Sequence, residues 1–238
     1  MSRAEKGWQD VLARVAEAAL AARRNPATIR VLAVSKTFGA DAVGEAYRAG
    51  ARMFGENYVQ EALGKMTAVA GLDIEWHLIG PLQSNKTRIV AERFAWVHTI
   101  DRVRVAERLS AARAAAREPL QVCIQINISG ETSKSGVSPA SASQLAHAVA
   151  AMPNLRLRGF MGIAEPGVEP SRQRAQFGIA RECFERCRAE GLRLDTLSMG
   201  MTDDLEAAIA EGATLVRVGS AIFGPRVYAQ STASRGTA

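Results

Sequence analysis

The sequence has few lysines, few aromatic side chains and few cysteines. Only five of its thirty basic residues are lysines, and aromatic residues make up 5% of the 238. The three cysteines, Cys123, Cys183 and Cys187, lack the spacing of a disulfide framework or a metal site, so we expect reduced structural thiols. Arginines spread along predicted helices, with little aromatic surface for bases to stack on, argue against nucleic-acid binding despite a net charge of +6.

The sequence also lacks a long apolar run. No stretch of eighteen uncharged apolar residues occurs, which predicts no membrane span. Residues 2–24 have no compact apolar core or cleavage site of a signal peptide and instead form an amphipathic helical pattern, with Trp8, Val11 and Leu12 on its apolar face. We therefore expect a cytoplasmic protein. Residues 1–230 are expected to form a single domain, and the small, polar residues 231–238 a disordered tail.

Short apolar segments alternate with helical patterns from end to end. The predicted strands are 30–35, 52–55, 75–79, 96–100, 120–128, 155–161, 193–198 and 214–218. A helix follows nearly every strand across a short link; for one of them Asp203 and Glu206 form a predicted capping box, and Gly212 ends it. This order predicts a closed (β/α)₈ barrel preceded by an N-terminal helix. A doubly wound open sheet is the alternative, weakened because no glycine-rich nucleotide-binding turn follows any strand.

Lys36 ends the first predicted strand. In such a barrel the active site lies at the carboxyl ends of the strands, so a lysine there is well placed for chemistry. A partly desolvated lysine can lose its proton and form an imine with an aldehyde, which arginine cannot do. The alternative is a lysine that only extends from the strand end into solvent.

The ends of the seventh and eighth strands have the composition of a phosphate site. Ser198 and Met199 precede a predicted helix, and Gly219 and Ser220 offer backbone N–H groups, a hydroxyl and close backbone approach. Barrels often bind phosphate after strands seven and eight. Alternatively, the glycines only permit tight turns. Of the three histidines, His77 lies near a strand end where it could line a pocket, whereas His98 and His147 are interpreted as structural.

Arg217 lies inside the eighth strand, between two valines, and is expected to face the barrel interior. A buried cation requires a partner, either a structural carboxylate or a ligand atom such as a heteroaromatic ring nitrogen. An imine-forming lysine, a phosphate site and an arginine facing a ring are together typical of pyridoxal 5′-phosphate binding.

Six motifs carry a family resemblance. They are Ala33-Val-Ser-Lys36, Phe54-Gly-Glu-Asn-Tyr-Val-Gln-Glu61, His77-Leu-Ile-Gly-Pro-Leu-Gln-Ser-Asn-Lys86, Ser133-Lys-Ser-Gly136, Leu197-Ser-Met-Gly-Met-Thr-Asp-Asp204 and Val216-Arg-Val-Gly-Ser-Ala-Ile-Phe-Gly224. With these motifs in order, the chain resembles the pyridoxal phosphate homeostasis proteins over nearly its whole length.

The resemblance implies one barrel like the N-terminal domain of alanine racemase, with the cofactor held by Lys36 as an imine. It implies that Arg217 contacts the pyridine nitrogen, that Asn57 lies beside the ring, and that four residues line the phosphate: Ser198, Met199, Gly219 and Ser220. Lys134 is a candidate second lysine. The loop 162–171 is left out of the predicted site because Gly162-Ile-Ala-Glu165 departs from the more apolar family pattern.

Three functions are compatible with these residues. The first is a cofactor carrier or buffer without substrate turnover, which passes pyridoxal phosphate to apo-enzymes. The second is a pyridoxal phosphate-dependent racemase or decarboxylase of amino acids, and the third a cofactor-free aldolase that uses Lys36 directly. An arginine at the ring nitrogen makes the ring a weaker electron sink, and no second β domain is recognisable, so the carrier is favoured and a monomer is expected. Tyr58 and His77 are the local base candidates.

Overall fold

Eight parallel strands close into a barrel in the computed structural model, which describes residues 1–114, 117–131 and 134–225. The strands follow chain order around the barrel, and β1 pairs with β8 to close it, with Leu32 beside Arg217. The strands are β1 Arg30–Val34, β2 Met53–Glu56, β3 Glu75–Leu78, β4 Trp96–Ile100, β5 Leu120–Ile126, β6 Leu155–Gly162, β7 Thr196–Ser198 and β8 Leu215–Val218. The predicted (β/α)₈ barrel is confirmed, and the open-sheet alternative is wrong.

Helices alternate with these strands on the outside. They are α1 Arg3–Ala21, α2 Ala40–Arg48, α3 Val59–Ala68, α4 Thr87–Arg93, α5 Val103–Ala112, α6 Ala142–Ala150, α7 Pro170–Ala189, α8 Leu205–Ala210 and α9 Ser220–Phe223. In the described part of the chain, no helix is long and apolar enough to cross a bilayer. The expected tail at 231–238 lies outside the described residues.

The predicted N-terminal helix is confirmed as α1, which packs on α8 and α9. A capping box between Ser2 and Glu5 starts it. Its buried face includes Trp8 and Val11, but Leu12 is 38% exposed, so its placement on the apolar face was wrong.

The predicted cap of α8 was also wrong. The helix begins after Asp204, whose carboxylate accepts a hydrogen bond from the Met201 N–H across the preceding turn instead of capping the helix. Glu206 forms an ion pair with Arg14 of α1. The predicted end of the helix is confirmed, because Gly212 follows it with a φ of +98°, a conformation that glycine adopts without steric cost.

The strands separate two interiors. Alternate residues of β5, such as Val122 and Ile124, belong to the large apolar core between barrel and helices. Cys123, between them, belongs to a smaller cluster inside the barrel with Trp96 and Met161. Above this cluster the interior holds buried polar side chains, among them His98, Ser198 and Arg217, and the candidate site begins there.

Candidate functional site

A cavity of about 290 Å³ opens at the carboxyl ends of the strands. It is lined by residues that follow β1, β2, β3, β6, β7 and β8, so the barrel itself assembles it. The lining residues are Val34, Lys36, Phe38, Asn57, Ile79, Ile163, Met201, Thr202, Asp203, Arg217, Gly219, Ser220 and Gly224. Its volume is at the small end of the range of small-molecule pockets.

Lys36 lies two residues after the end of β1 and lines the cavity, as its sequence position predicted. The next residue, Thr37, has a φ of +70°, which is a strained conformation for a β-branched side chain. Such conformations cost on the order of 1–3 kcal/mol and persist only where surrounding contacts fix them. The Thr37 N–H donates to Glu61 Oε1 at 2.6 Å, which is one such contact.

A polar cluster lies beneath this turn, formed by the buried Ser35, Glu56 and Lys65 and the partly exposed Glu61. Lys65 Nζ donates to the Ser35 carbonyl at 2.6 Å, to Glu56 Oε1 at 2.7 Å and to Glu61 Oε1 at 2.6 Å. Ser35 Oγ donates to Glu56 Oε1 at 2.5 Å. Both peptide neighbours of Lys36 are therefore held by one ammonium group and the two carboxylates bound to it.

Glu56 places a carboxylate in the interior, and burying that charge costs free energy unless it is compensated. The side chain is fully buried, and its Oε2 atom has no hydrogen-bond partner in the described part of the chain. Burial raises the pKa of Glu56, and the Lys65 charge opposes that rise. Lys65, itself only 5% exposed, is thus the main compensation for the carboxylate.

Arg217 is buried and points into the barrel, as predicted, and its guanidinium reaches the cavity. Its partners are neutral acceptors. Nη1 donates to the Ser198 carbonyl at 2.5 Å and to Ser198 Oγ at 2.9 Å, and Nη2 donates to the Gly162 carbonyl at 3.0 Å. Burial lowers the pKa of Arg217 to about 10, so the group stays cationic at neutral pH. A structural carboxylate, one of the two partners considered from the sequence, is absent from these contacts.

Asn57 lines the cavity after β2, where it was predicted. Its backbone rests on Gly80, where an added Cβ would lie 2.2 Å from the Asn57 carbonyl oxygen. Asn57 Oδ1 is buried and has no partner among the described residues. The amide therefore keeps hydrogen-bonding capacity for a bound molecule.

The opposite part of the cavity is rich in hydroxyl groups. Ser220 Oγ donates to Thr202 Oγ1 at 3.1 Å, joining the loop after β7 to the start of α9. Gly219 sits close to β1, since an added Cβ would lie 3.1 Å from the Val34 carbonyl oxygen. The first N–H groups of a helix have no acceptor within it, so the start of α9 adds donors for an anion.

Two predicted phosphate residues are not part of the cavity wall. The Ser198 hydroxyl is fully buried between Arg217 and His98 Nδ1, to which its Oγ lies 2.8 Å away. The Met199 N–H donates to the Leu215 carbonyl. Thr202 and Asp203 line the cavity instead. Their place in the Leu197–Asp204 motif was the signal that could have identified them.

Other expectations were also changed by the structure. His77 does not line the cavity but lies deeper in the barrel, bonded to His98 and Glu75. Lys134 lies outside the cavity wall and forms an ion pair with Glu131 at 2.6 Å. The exclusion of the loop 162–171 was wrong at its start, because Gly162 binds Arg217 and Ile163 lines the cavity.

No cluster of metal-ligating side chains occurs among the residues that the structure describes. The three cysteines are buried and unpaired, and burial raises the pKa of Cys123 to about 12, so its thiol stays protonated. The polar side chains that line the cavity are those of Lys36, Asn57, Thr202, Asp203, Arg217 and Ser220.

Comparison with known proteins places these residues in a family. Residues 12–227 match the family of the alanine racemase N-terminal domain. The chain is 57% identical, over 96% of its length and 98% of the relative's, to the pyridoxal phosphate homeostasis protein of Pseudomonas aeruginosa. The structure is similar to that of PipY from Synechococcus elongatus with pyridoxal phosphate bound, with a TM-score of 0.78 and 38% identity over 88% of this chain and all of that one.

A more distant similarity concerns the fold alone. Alanine racemase from Corynebacterium glutamicum superposes with a TM-score of 0.74 at 19% identity, over 94% of this chain and 61% of the racemase. The racemase barrel is thus shared without close sequence similarity. Together with the family match and the near-complete coverage of its relatives, this shows that the chain belongs to the pyridoxal phosphate homeostasis proteins, within the alanine racemase N-terminal domain family.

Proposed function

We propose that this protein binds pyridoxal 5′-phosphate as an imine on Lys36 and acts as a carrier or buffer in the homeostasis of that cofactor. The observation that carries the proposal is that Lys36, Arg217 and Ser220 line one cavity of about 290 Å³. An amine, a cationic donor for a ring nitrogen and hydroxyls for a phosphate are the groups that this cofactor requires. The relative PipY, at 38% identity, has been solved with the cofactor bound.

The cavity offers a place for each part of the cofactor. Lys36 is the anchor, and Arg217 is a fixed hydrogen-bond donor to the ring nitrogen because its other donors are occupied by Ser198 and Gly162. The amide oxygen of Asn57, which has no partner among the described residues, can accept a hydrogen bond beside the ring. Gly219 and Ser220 receive the phosphate, with Thr202 as an additional hydroxyl that the sequence did not single out. Ser198 and Met199 support this site from behind the cavity wall.

The bound cofactor supplies a reactive aldehyde carbon and an electron-withdrawing ring. The protein limits the use of that chemistry. Arg217 is cationic and donates a hydrogen bond, so it leaves the ring nitrogen without a proton, which weakens the ring as an electron sink. Among the described lining residues, Asp203 is the only ionisable residue besides Lys36 and Arg217. The cavity wall therefore offers no histidine, tyrosine or cysteine that could act as the base in racemisation. Tyr58, a predicted base candidate, is 60% exposed.

The partial exposure of Lys36 would allow the cofactor to be released to other proteins. Lys36 is only partly buried, so water would have access to a cofactor held there, which would favour its release. We propose that the recipients are apo forms of pyridoxal phosphate-dependent enzymes in the cytoplasm, and that the protein serves them as a monomer. The racemase alternative shares the fold, but among the described residues the cavity wall offers no histidine, tyrosine or cysteine as a base.

The test combines a spectrum with a turnover assay. Purified protein is titrated with pyridoxal phosphate, and the imine absorbance band is followed for the wild type and for Arg217→Ala. We expect a stoichiometric band in the wild type and at least tenfold weaker binding in the variant. The loaded protein is then incubated with single-enantiomer amino acids and with an apo-aminotransferase. Activation of the aminotransferase without racemisation supports the carrier, whereas robust racemisation would overturn it and no band would exclude both functions.

A further inference from the structure

A chain of hydrogen bonds crosses the barrel interior from its amino-terminal end to the cavity. Glu75 Oε1 lies 2.8 Å from His77 Nε2, and His77 Nδ1 lies 2.9 Å from His98 Nε2. His98 Nδ1 lies 2.8 Å from Ser198 Oγ, which accepts from Arg217 Nη1 at 2.9 Å. Both imidazoles and the serine are fully buried. The residues proposed to bind the ligand do not account for the contact between His77 and His98.

The Glu75 end of the chain fixes its direction. A carboxylate only accepts, so His77 must carry its proton on Nε2 to bind Glu75. When both imidazoles are neutral, His77 Nδ1 then accepts from His98 Nε2–H, and His98 Nδ1 accepts from the Ser198 hydroxyl. Arg217 only donates, and Ser198 Oγ accepts from it through a lone pair while its own proton points to His98. Every donor then points from Arg217 toward Glu75.

The surroundings of the histidines favour this neutral state. Burial lowers the pKa of His77, although Glu75 opposes the effect. Burial, with the nearby charges of His77, Arg217 and Arg30, lowers the pKa of His98 far more. Both rings also pack against Trp96, and His77 stacks nearly parallel to it at 5.2 Å between centroids. The imidazoles therefore have little freedom to turn and break the chain.

Proton transfer along the chain is not its role. Moving the Arg217 proton to Glu75 would form a neutral guanidine and a carboxylic acid. The pKa of Arg217 is about 10, whereas hydrogen bonding by His77 overcomes burial and holds the pKa of Glu75 below its ordinary value. The proton therefore stays on Arg217, and what the chain transmits is orientation.

We propose that Glu75, His77, His98 and Ser198 form a one-directional hydrogen-bond chain that orients Arg217 toward the ligand, which makes Glu75 a positioning residue at the far end of the barrel. Glu75 lies at the first position of β3, with its side chain 40% exposed, whereas Arg217 lines the cavity at the opposite end. Removing the Glu75 charge removes the acceptor that sets the direction. The consequence for the cofactor rests on the proposed function, but the direction of the chain does not.

Asp195 provides a matched control. It also lies at the amino-terminal end of the barrel, directly before β7, and is 53% exposed. Its carboxylate pairs with Arg158, which stacks on Trp96 from 4.9 Å. Asp195→Asn thus removes the same charge at the same end of the barrel without interrupting the chain.

The experiment measures imidazole tautomers by long-range ¹H–¹⁵N NMR in protein without cofactor. The chain has only three histidines, and His147 is exposed, so the two buried rings can be assigned by one variant each. We expect Nε2–H tautomers for both in the wild type and in Asp195→Asn, and a measurable Nδ1–H population in Glu75→Gln. Nδ1–H or charged rings in the wild type, or a Glu75→Gln spectrum identical to that of Asp195→Asn, would overturn the proposal.

A second measurement links the chain to the cavity. We expect Glu75→Gln to weaken pyridoxal phosphate binding about 3- to 10-fold, and the effect to vanish in a Ser198→Ala background, where the chain is already broken. Equal weakening in both backgrounds would contradict transmission through Ser198. If wild-type protein bound no pyridoxal phosphate, the proposed function would fail, while the NMR result would still decide the direction of the chain.

Discussion

The two buried histidines predict a loss of stability in mildly acidic solution. In the unfolded chain each imidazole takes up a proton near pH 6.5, whereas in the folded barrel burial lowers the pKa of both, and that of His98 to well below this value. The unfolded state therefore binds more protons as the pH falls. By linkage, the free energy of unfolding decreases below pH 6.5 and continues to decrease until the folded-state pKa is reached.

The size of the effect follows from the same relation. For a histidine that stays neutral in the folded state down to pH 5, the loss between pH 7 and pH 5 is about 2 kcal/mol. This amount is the upper value for His98, whose pKa burial lowers well below 6.5, and His77 adds a part of it because Glu75 opposes the lowering. Two buried carboxyls act with the opposite sign, since burial raises the pKa of Glu56 and of Asp204. The contribution of His98 to the pH dependence is therefore measured as the difference in the free energy of unfolding between the wild type and a His98 variant.

The assay is urea unfolding followed by circular dichroism at pH 7, 6 and 5. We compare the wild type with His98→Gln, which retains an amide donor for His77, and with His147→Gln, which alters an exposed histidine. The loss between pH 7 and pH 5 should be smaller in His98→Gln than in the wild type and His147→Gln, by up to about 2 kcal/mol. Equal losses in the wild type and His98→Gln would refute a neutral, buried His98.

Two further predictions concern the turn at Lys36 and the contact between Gly80 and the backbone of Asn57. Lys65→Met leaves a buried carboxylate uncompensated and should lower the free energy of unfolding by about 3–5 kcal/mol in urea titrations. The exposed Lys6→Met should change it by less than about 0.5 kcal/mol, and a Lys65→Met protein as stable as the wild type would contradict the role of the cluster. Gly80→Ala should cost about 1–3 kcal/mol, because its Cβ would collide with the backbone of Asn57. Gly64→Ala in α3 meets no atom within 4 Å and should stabilise the protein by about 0.4–1 kcal/mol; a thermal unfolding series in which both variants shift alike would refute this contrast.

The barrel was predictable from local signals. Alternation of apolar and polar residues in β5 and the short links between units are encoded within a few residues, so strand order and element type followed from the sequence. The cap of α8 was not predictable in this way. Asp203 and Glu206 have capping-box spacing, yet Glu206 binds Arg14, which lies 192 residues away in the sequence. A long-range partner overrides the local pattern.

The principal residues that line the cavity were predictable from the sequence, whereas the contacts of the residues behind them were not. Lys36, Asn57, Arg217, Gly219 and Ser220 follow from the rule that strand ends form the site. Ser198 follows the same rule but faces Arg217 and His98 instead of the cavity, because side-chain direction depends on strand register. The spacing of Glu61 and Lys65 indicates a helical ion pair, but not that Lys65 is buried against β2.

The central claim is that Lys36 anchors the cofactor. The direct measurement is reduction of the protein–pyridoxal phosphate mixture with borohydride, followed by peptide mapping by mass spectrometry. Wild type and Lys134→Ala should carry the reduced adduct on the peptide that contains Lys36, and Lys36→Ala should carry none at equal cofactor concentration. An adduct mainly on Lys134, or an undiminished imine band in Lys36→Ala, would contradict the account.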